Sequence, residues 1–218
     1  MLTISLINAN YNLYGSKVHS LCVSTDGRLF SGYGNGAIIV WDISTCTREF
    51  SCSQIKVLVE HANVVNSLCV TKDNKYLFSC SHDNDNKIII WDLNNYTRLT
   101  TLLGHKSWIY SICLSLDDSK LFSCSLDGVI KIWNLTSINE SNCLTTIDNA
   151  DSWVYSNICL SIDGKYLFSG SASTNNKDIK MLNILSNKCE YIFTGHNKSI
   201  MSLCVSLDGQ LLFSGTDD

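Results

Sequence analysis

The chain has 218 residues, 45% hydrophobic and 17% charged, which excludes a disordered polyelectrolyte and is enough to bury a core. Its formal net charge is −4 and its arginines are Arg28, Arg48 and Arg98, so no basic stripe exists to neutralise phosphates and nucleic acid is not expected as a partner. No apolar run is long enough to span a bilayer, and no membrane partner is expected.

Read in chain order, the opening "MLTISLINAN" lacks the basic start and long apolar stretch of a secretory leader. Its alternation predicts a strand over residues 2–7, with a short further strand near Tyr11–Tyr14. From residue 18, "VHSLCVSTDGRLFSGYGNGAIIVWDI" predicts three strands separated by turns. The pattern returns as "VNSLCVTKDNKYLFSCSHDNDNKIIIWDL" from Val65 and as "WIYSICLSLDDSKLFSCSLDGVIKIWNL" from Trp108. In the third copy "WIYSICLSL", "KLFSCS" and "VIKIWNL" are strands, "LDG" is a hairpin turn that tolerates positive φ, and "CLTTI" (Cys143–Ile147) is a fourth strand. A fourth copy, "NICLSIDGKYLFSGSASTNNKDIKMLNI", begins at Asn157, and "SLCVSLDGQLLFSGTDD" closes the chain. Proline is absent and no helical periodicity appears, so the chain reads as antiparallel β.

His61 and His105 lie 44 residues apart, and His196 follows about two such steps later. That period, with four strand-like segments and a tryptophan near the third strand, is the signature of propeller blades. Inner strands begin near Val18, Val64, Trp108, Trp153 and Ser199, giving units of 18–59, 60–103, 104–147, 148–193, and 194–218 joined by 1–17. Joining the tail "SGTDD" to the head "MLTISLI" imitates the third unit's "SCSLDGVIKIWNL". The N-terminal strands are therefore expected to complete the C-terminal blade and close a ring of about five four-stranded blades, since open blades would expose strand edges. That blade would be short, and a five-unit part of a larger ring is the alternative.

Seven of the eleven cysteines follow the repeat: Cys22, Cys69, Cys113, Cys159 and Cys204 share one slot, Cys80 and Cys124 another. No CxxC and no Cys/His pair at zinc-ligand spacing occurs. They read as small apolar packing residues and unpaired thiols, which implies a reducing, intracellular setting, cytoplasmic or nuclear. Neither a metal nor a cofactor is expected.

"GHKSWIYSICLSLDDSKLFSCSLDGVIKIWNL", with Gly104-His105, the turn residue Asp127 and Trp133-Asn134, resembles a WD-repeat β-propeller unit. "WD" itself stands at Trp41-Asp42 and Trp91-Asp92, and the resemblance covers essentially the whole chain. It implies a structural hydrogen-bond tetrad: His105, Ser123 or Ser125, Asp127 and Trp133 in the third unit, and His61, Ser79 or Ser81, Asp83 and Trp91 in the second. The fifth unit keeps His196 and Asp218. The first has Gly34-Asn35-Gly36 in place of the aspartate turn, and the fourth has Leu182 in place of tryptophan. A His–Asp–Ser set also resembles a hydrolase triad, but it recurs in register and no nucleophile elbow accompanies it.

In such a family partners are commonly read on the face bearing the starts of the inner strands and the residue before the turn aspartate. Carried across, the flanking pairs are Lys17 and His19, Val64 and Asn66, Trp108 and Tyr110, Trp153 and Tyr155, Ser199 and Met201; the pre-aspartate positions are His82, Leu126 and Asp217. The binding set is then Trp108, Tyr110, Trp153, Tyr155, Asn66, Leu126, Met201, His19 and Asp217, centred on two Trp–Tyr pairs over the third and fourth units. The same rings have a plain alternative role as packing between blades. Asp26, Asp73, Asp117, Asp163 and Asp208 fall on the opposite face as turn residues. The resemblance implies a non-catalytic scaffold for a protein or peptide partner; a propeller-borne hydrolase and a fragment completing a larger assembly are the alternatives.

Overall fold

The computed structural model describes residues 16–44, 52–82, 86–140, 142–148, 157–171 and 177–216. Four antiparallel four-stranded sheets and one two-stranded sheet follow one another along the chain. The first contains β1 (Val18–Val23), β2 (Arg28–Tyr33), β3 (Ala37–Asp42) and β4 (Ser53–Val59); the second β5 (Val65–Val70), β6 (Tyr76–Ser81), β7 (Ile88–Asp92) and β8 (Thr97–Leu102). The third contains β9 (Ile109–Leu114), β10 (Lys120–Ser125), β11 (Val129–Asn134) and β12 (Cys143–Asp148); the fourth β13 (Ile158–Leu160), β14 (Tyr166–Gly170), β15 (Ile179–Asn183) and β16 (Lys188–Phe193). The fifth is β17 (Ile200–Val205) with β18 (Leu212–Thr216). Ile138–Glu140 forms a single 3-10 turn. The all-β reading holds, and the strands expected from Val18 onward are present among the described residues.

Each four-stranded sheet is a meander, because short turns leave successive strands no partner but each other. The turns supply the chemistry this needs: Asn74 and Asp118 have φ near 59° and 56°, and Gly27, Gly164 and Gly209 occupy positive φ at the same place in their sheets. The second strands are buried on both faces and read as near-continuous apolar runs. The inner strands pack in sequence order, β1 on β5, β5 on β9, β9 on β13 and β13 on β17. The core accordingly lies between sheets: Phe30 with Leu68 and Trp91, Phe78 with Ile112 and Trp133, Phe122 with Leu167 and Leu182, Phe168 with Leu203.

The interior polar groups stitch the same seams. The Ser20 hydroxyl donates to Val65 O at 2.7 Å, and Ile158 N donates to Ser111 Oγ at 3.2 Å. Just after the β1–β2 turn Arg28 bridges the first two sheets, holding Asp26 at 2.6 Å while donating to the Asn74 and Leu93 carbonyls. Gly36 is required where the first sheet meets the segment before β5: its φ is 87°, and a Cβ there would stand 2.0 Å from the His61 carbonyl oxygen.

Residues 2–7 and 11–14, expected to complete the last blade, lie outside the described residues. Nine of the described cysteines are free thiols, those of the repeat slots among them. Burial pushes Cys22, Cys124 and Cys159 up to about 12. Cys52 corrects the reading of all cysteines as unpaired, since it is disulfide-bonded. It precedes β4 and sits outside the repeat slots, so the packing argument never applied to it.

Candidate functional site

Two polar constructions line the face at which the inner strands begin. The first is buried. In the third sheet the Trp133 indole N–H donates to Ser123 Oγ at 2.8 Å, and Ser123 Oγ meets His105 Nε2 at 2.7 Å. The other imidazole nitrogen faces Asp127 Oδ2 at 3.0 Å, and Lys106 N donates to the same oxygen at 2.7 Å. One proton arrangement satisfies every atom: Nδ1–H to the carboxylate, the serine hydroxyl to Nε2, and the indole to the serine. Burial alone would raise the Asp127 carboxyl, but the His105 hydrogen bond and the Lys106 N–H outweigh it and hold it below the usual carboxylate range.

The tetrad serine is thus Ser123. Ser125 instead donates to Ser107 O at 3.0 Å and accepts from Asp127 N at 3.2 Å, shaping the turn. In the second sheet Ser79 meets both His61 Nε2 and the Trp91 indole at 2.8 Å, while Ser81 donates to Asn63 O at 3.1 Å. Asp83 lies outside the described residues. His196 Nε2 reaches Ser214 at 2.7 Å in the fifth sheet, and Asp218 is also outside them. The first sheet keeps the Trp41 to Ser31 bond at 2.8 Å, and the fourth buries Leu182 where others have tryptophan. Ser123 and the His105 side chain are sealed from solvent, so no substrate carbonyl reaches this serine. The triad-like composition is a packing device here.

The second construction is exposed. In the first three sheets the start of the inner strand is bonded to the turn after the second strand: Gly34 N to Lys17 O at 3.0 Å, His82 N to Val64 O at 3.1 Å, Leu126 N to Trp108 O at 2.9 Å. This brings pre-aspartate positions beside the flanking positions. Between the second and third sheets the His82 ring stacks on Trp108, centroids 4.8 Å apart and planes 18° from parallel. Tyr110 meets the same imidazole edge-on at 4.9 Å and 70°. Asn66 crosses this seam too, donating through Nδ2 to Ile109 O at 2.8 Å. Trp108 stays 39% exposed, so it is both a packing ring and a surface ring.

The structure therefore brings Asn66, Trp108, Tyr110 and Leu126 together. Met201 and His19 are exposed on β17 and β1, in other sheets. Trp153, Tyr155 and Asp217 lie outside the described residues. The position of His82 before the turn aspartate puts it at the mouth, but its stacking depends on an approach between sheets that local sequence does not encode.

The opposite face carries one motif five times. Ser24, Thr71, Ser115, Ser161 and Ser206 each donate through their hydroxyl to the aspartate two residues on, at 2.5, 2.7, 2.6, 2.6 and 2.5 Å. Hydrogen bonds from Ser115 and Ser119 draw Asp117 down to about 2, and the other four carboxyls are also lowered. A cleft of about 400 Å³ opens beside this ring, lined by Tyr76, Leu116, Leu135, Ile138, Asp73 and Asp117. Among the described residues no group of three or more metal-ligating side chains occurs. Nor is any helix among them long and apolar enough to cross a membrane.

Comparison with known proteins bears on these features. The family model described as "WD domain, G-beta repeat" matches residues 8–42, 52–92, 96–134 and 187–218. The gap falls on the fourth sheet, where Leu182 replaces the tryptophan. The chain is 38% identical over 77 residues to Set1 complex component swd1 of Schizosaccharomyces pombe, covering 35% of this chain and 17% of that protein. It is 28% identical over 178 residues to Autophagy-related protein 16 of Arabidopsis thaliana, covering 81% of this chain and 32% of that protein. The chain thus spans about a sixth and about a third of these two relatives.

Proposed function

Because the chain belongs to the WD-repeat family, we propose that it is a non-catalytic scaffold that grips a segment of a partner protein on the face where its inner strands begin. The family and the similarity to a Set1 complex component support a protein-interaction role. The finer reading rests on one observation: Trp108 is held flat by His82 and keeps 39% of its surface open. A ring fixed in this way gives contact area without losing rotamer freedom on binding. Tyr110 and Leu126 extend the surface, Asn66 braces the strand beneath it, and Trp153 and Tyr155 repeat the pair in the next unit. Met201, His19 and Asp217 complete the proposed set around the mouth. We place the protein inside the cell, in cytoplasm or nucleus, with protein or peptide as its partner and neither nucleic acid nor membrane.

The test is affinity capture with wild type against Trp108→Ala and the Trp108→Ala/Trp153→Ala pair, alongside thermal melting of each. The reading predicts loss of captured partner with a folded variant. A lowered melting temperature with capture unchanged assigns both rings to packing and ends it.

A further inference from the structure

On the face of the aspartate turns, the seam between the first and second sheets is filled by an arginine. Arg28 opens β2, and both oxygens of Asp26 accept from its guanidinium, at 3.1 Å from Nε and 2.6 Å from Nη2. Its other contacts cross to the second sheet: Nη2 donates to Asn74 O at 2.9 Å, and Nη1 to Leu93 O and the Tyr96 hydroxyl at 3.3 Å each. The guanidinium carbon lies 5.9 Å from the ring centres of both Phe30 and Tyr96. A carboxylate, two carbonyls and flanking rings thus make a guanidinium socket, in which the side chain is 14% exposed.

The seam between the second and third sheets repeats the socket with a different residue at the arginine position. Tyr76 stands there, pairing with Asp92 as Arg28 pairs with Asp42. Asp73 matches Asp26, each accepting the hydroxyl two residues before it. Across the seam Leu135 matches Leu93, each donating its N–H at 2.8 Å to the residue before the second strand of its sheet. Asp118 matches Asn74, with φ of 56° and 59°. The turns dock alike as well: Thr25 N donates to Asn74 Oδ1 at 3.1 Å and Lys72 N to Asp118 Oδ2 at 2.7 Å. Ile138 follows Leu135 at the spacing by which Tyr96 follows Leu93. Here the seam opens into the cleft of about 400 Å³ bordered by Tyr76, Asp73, Asp118, Leu135 and Ile138. In the seam after it the same position is Lys120, again a cation.

We propose that this cleft receives the arginine side chain of a partner polypeptide, bound as the first seam binds Arg28. The charge is complementary: Asp73, Asp117 and Asp118 stand on the cleft, and the Ser115 and Ser119 hydroxyls keep Asp117 ionised down to about pH 2. Lys72, a cation of the same rim, turns its ammonium to the Leu116 carbonyl. Lys75 pairs with Asp73 at 3.2 Å, but both side chains are exposed and such a pair is weak. The Tyr76 ring supplies the flat surface that Phe30 and Tyr96 give Arg28. A lysine serves the socket poorly, because a point charge cannot meet a carboxylate and two carbonyls as a five-donor fork does. The site is on the face opposite the one proposed above and stands independently of that reading.

Nuclear magnetic resonance titration of the isotope-labelled full chain with the peptide acetyl-Gly-Arg-Gly-amide tests it. Taken to tens of millimolar, the peptide is expected to shift the backbone amides of Asp73, Tyr76, Asp118 and Ile138 to saturation. The matching lysine peptide is expected to bind at least about tenfold more weakly. Tyr76→Arg gives this seam the residue of the first; it is expected to stay folded by circular dichroism and to lose the peptide. Asp73→Asn keeps the shape of the side chain without its charge and is expected to weaken binding about tenfold. The proposal is overturned by the lack of a saturable shift at these amides, by equal binding of the lysine peptide, or by undiminished binding to a folded Asp73→Asn or Tyr76→Arg variant. Shifts confined to Tyr110 and Leu126 put the arginine on the opposite face and overturn it too.

Discussion

His82 of the second sheet lies against Trp108 of the third, ring centroids 4.8 Å apart. The pair joins two sheets and at the same time presents a tryptophan to solvent, so its two roles separate by mutation. His82→Ala is expected to cost about 0.5–1.5 kcal/mol, the worth of an aromatic pair. Urea denaturation of wild type and variant measures it, and a red shift of Trp108 emission would report the ring's release.

Ser123 serves His105 and Trp133 together, at 2.7 and 2.8 Å. Ser123→Ala leaves two buried groups without that oxygen, and about 2–5 kcal/mol of stability should be lost. Ser125→Ala removes a turn contact and should cost about 1 kcal/mol. Equal losses in chemical denaturation would refute the assignment of Ser123 as the shared centre.

Asp117 and its four counterparts are lowered by the hydroxyls beside them. A carboxyl with a depressed folded-state pKa stabilises the fold above its unfolded value and loses that contribution as pH falls through the folded value. The loss should therefore run from about pH 4 down to the Asp117 value of about 2. Melting curves at steps through this window check it, and Asp117→Asn should flatten the descent.

Gly36 and Gly128 share left-handed backbone, with φ of 87° and 82°, but not surroundings. A Cβ on Gly128 meets nothing within 4 Å, so Gly128→Ala should cost only the backbone strain, about 1–2 kcal/mol. On Gly36 it would strike the His61 carbonyl, so Gly36→Ala should cost at least twice as much and loosen the first two sheets. Denaturation midpoints of the two variants make the comparison.

Cys143 and Cys189 are exposed on outer strands, whereas Cys80 and Cys124 are buried with raised pKa. Iodoacetamide at mildly alkaline pH should label the first pair in the native protein and the second only after unfolding. Peptide mass mapping reads the outcome.

Strand, turn and repeat were legible in the sequence because they depend on neighbours in the chain. "KLFSCS", "LDG" and "VIKIWNL" each specify their conformation within a few residues, and the repeated cysteine and phenylalanine slots follow from strand alternation. The sequence also narrowed the buried serine to Ser123 or Ser125, which lie two residues apart and so share one side of β10. Only the tertiary structure decided between them, because the choice depends on which of the two lies level with His105 and Trp133. The same holds for His82, whose partner comes from the next sheet. Alternation marks a side chain as fit for burial; whether another sheet arrives to bury it is a property of the tertiary structure.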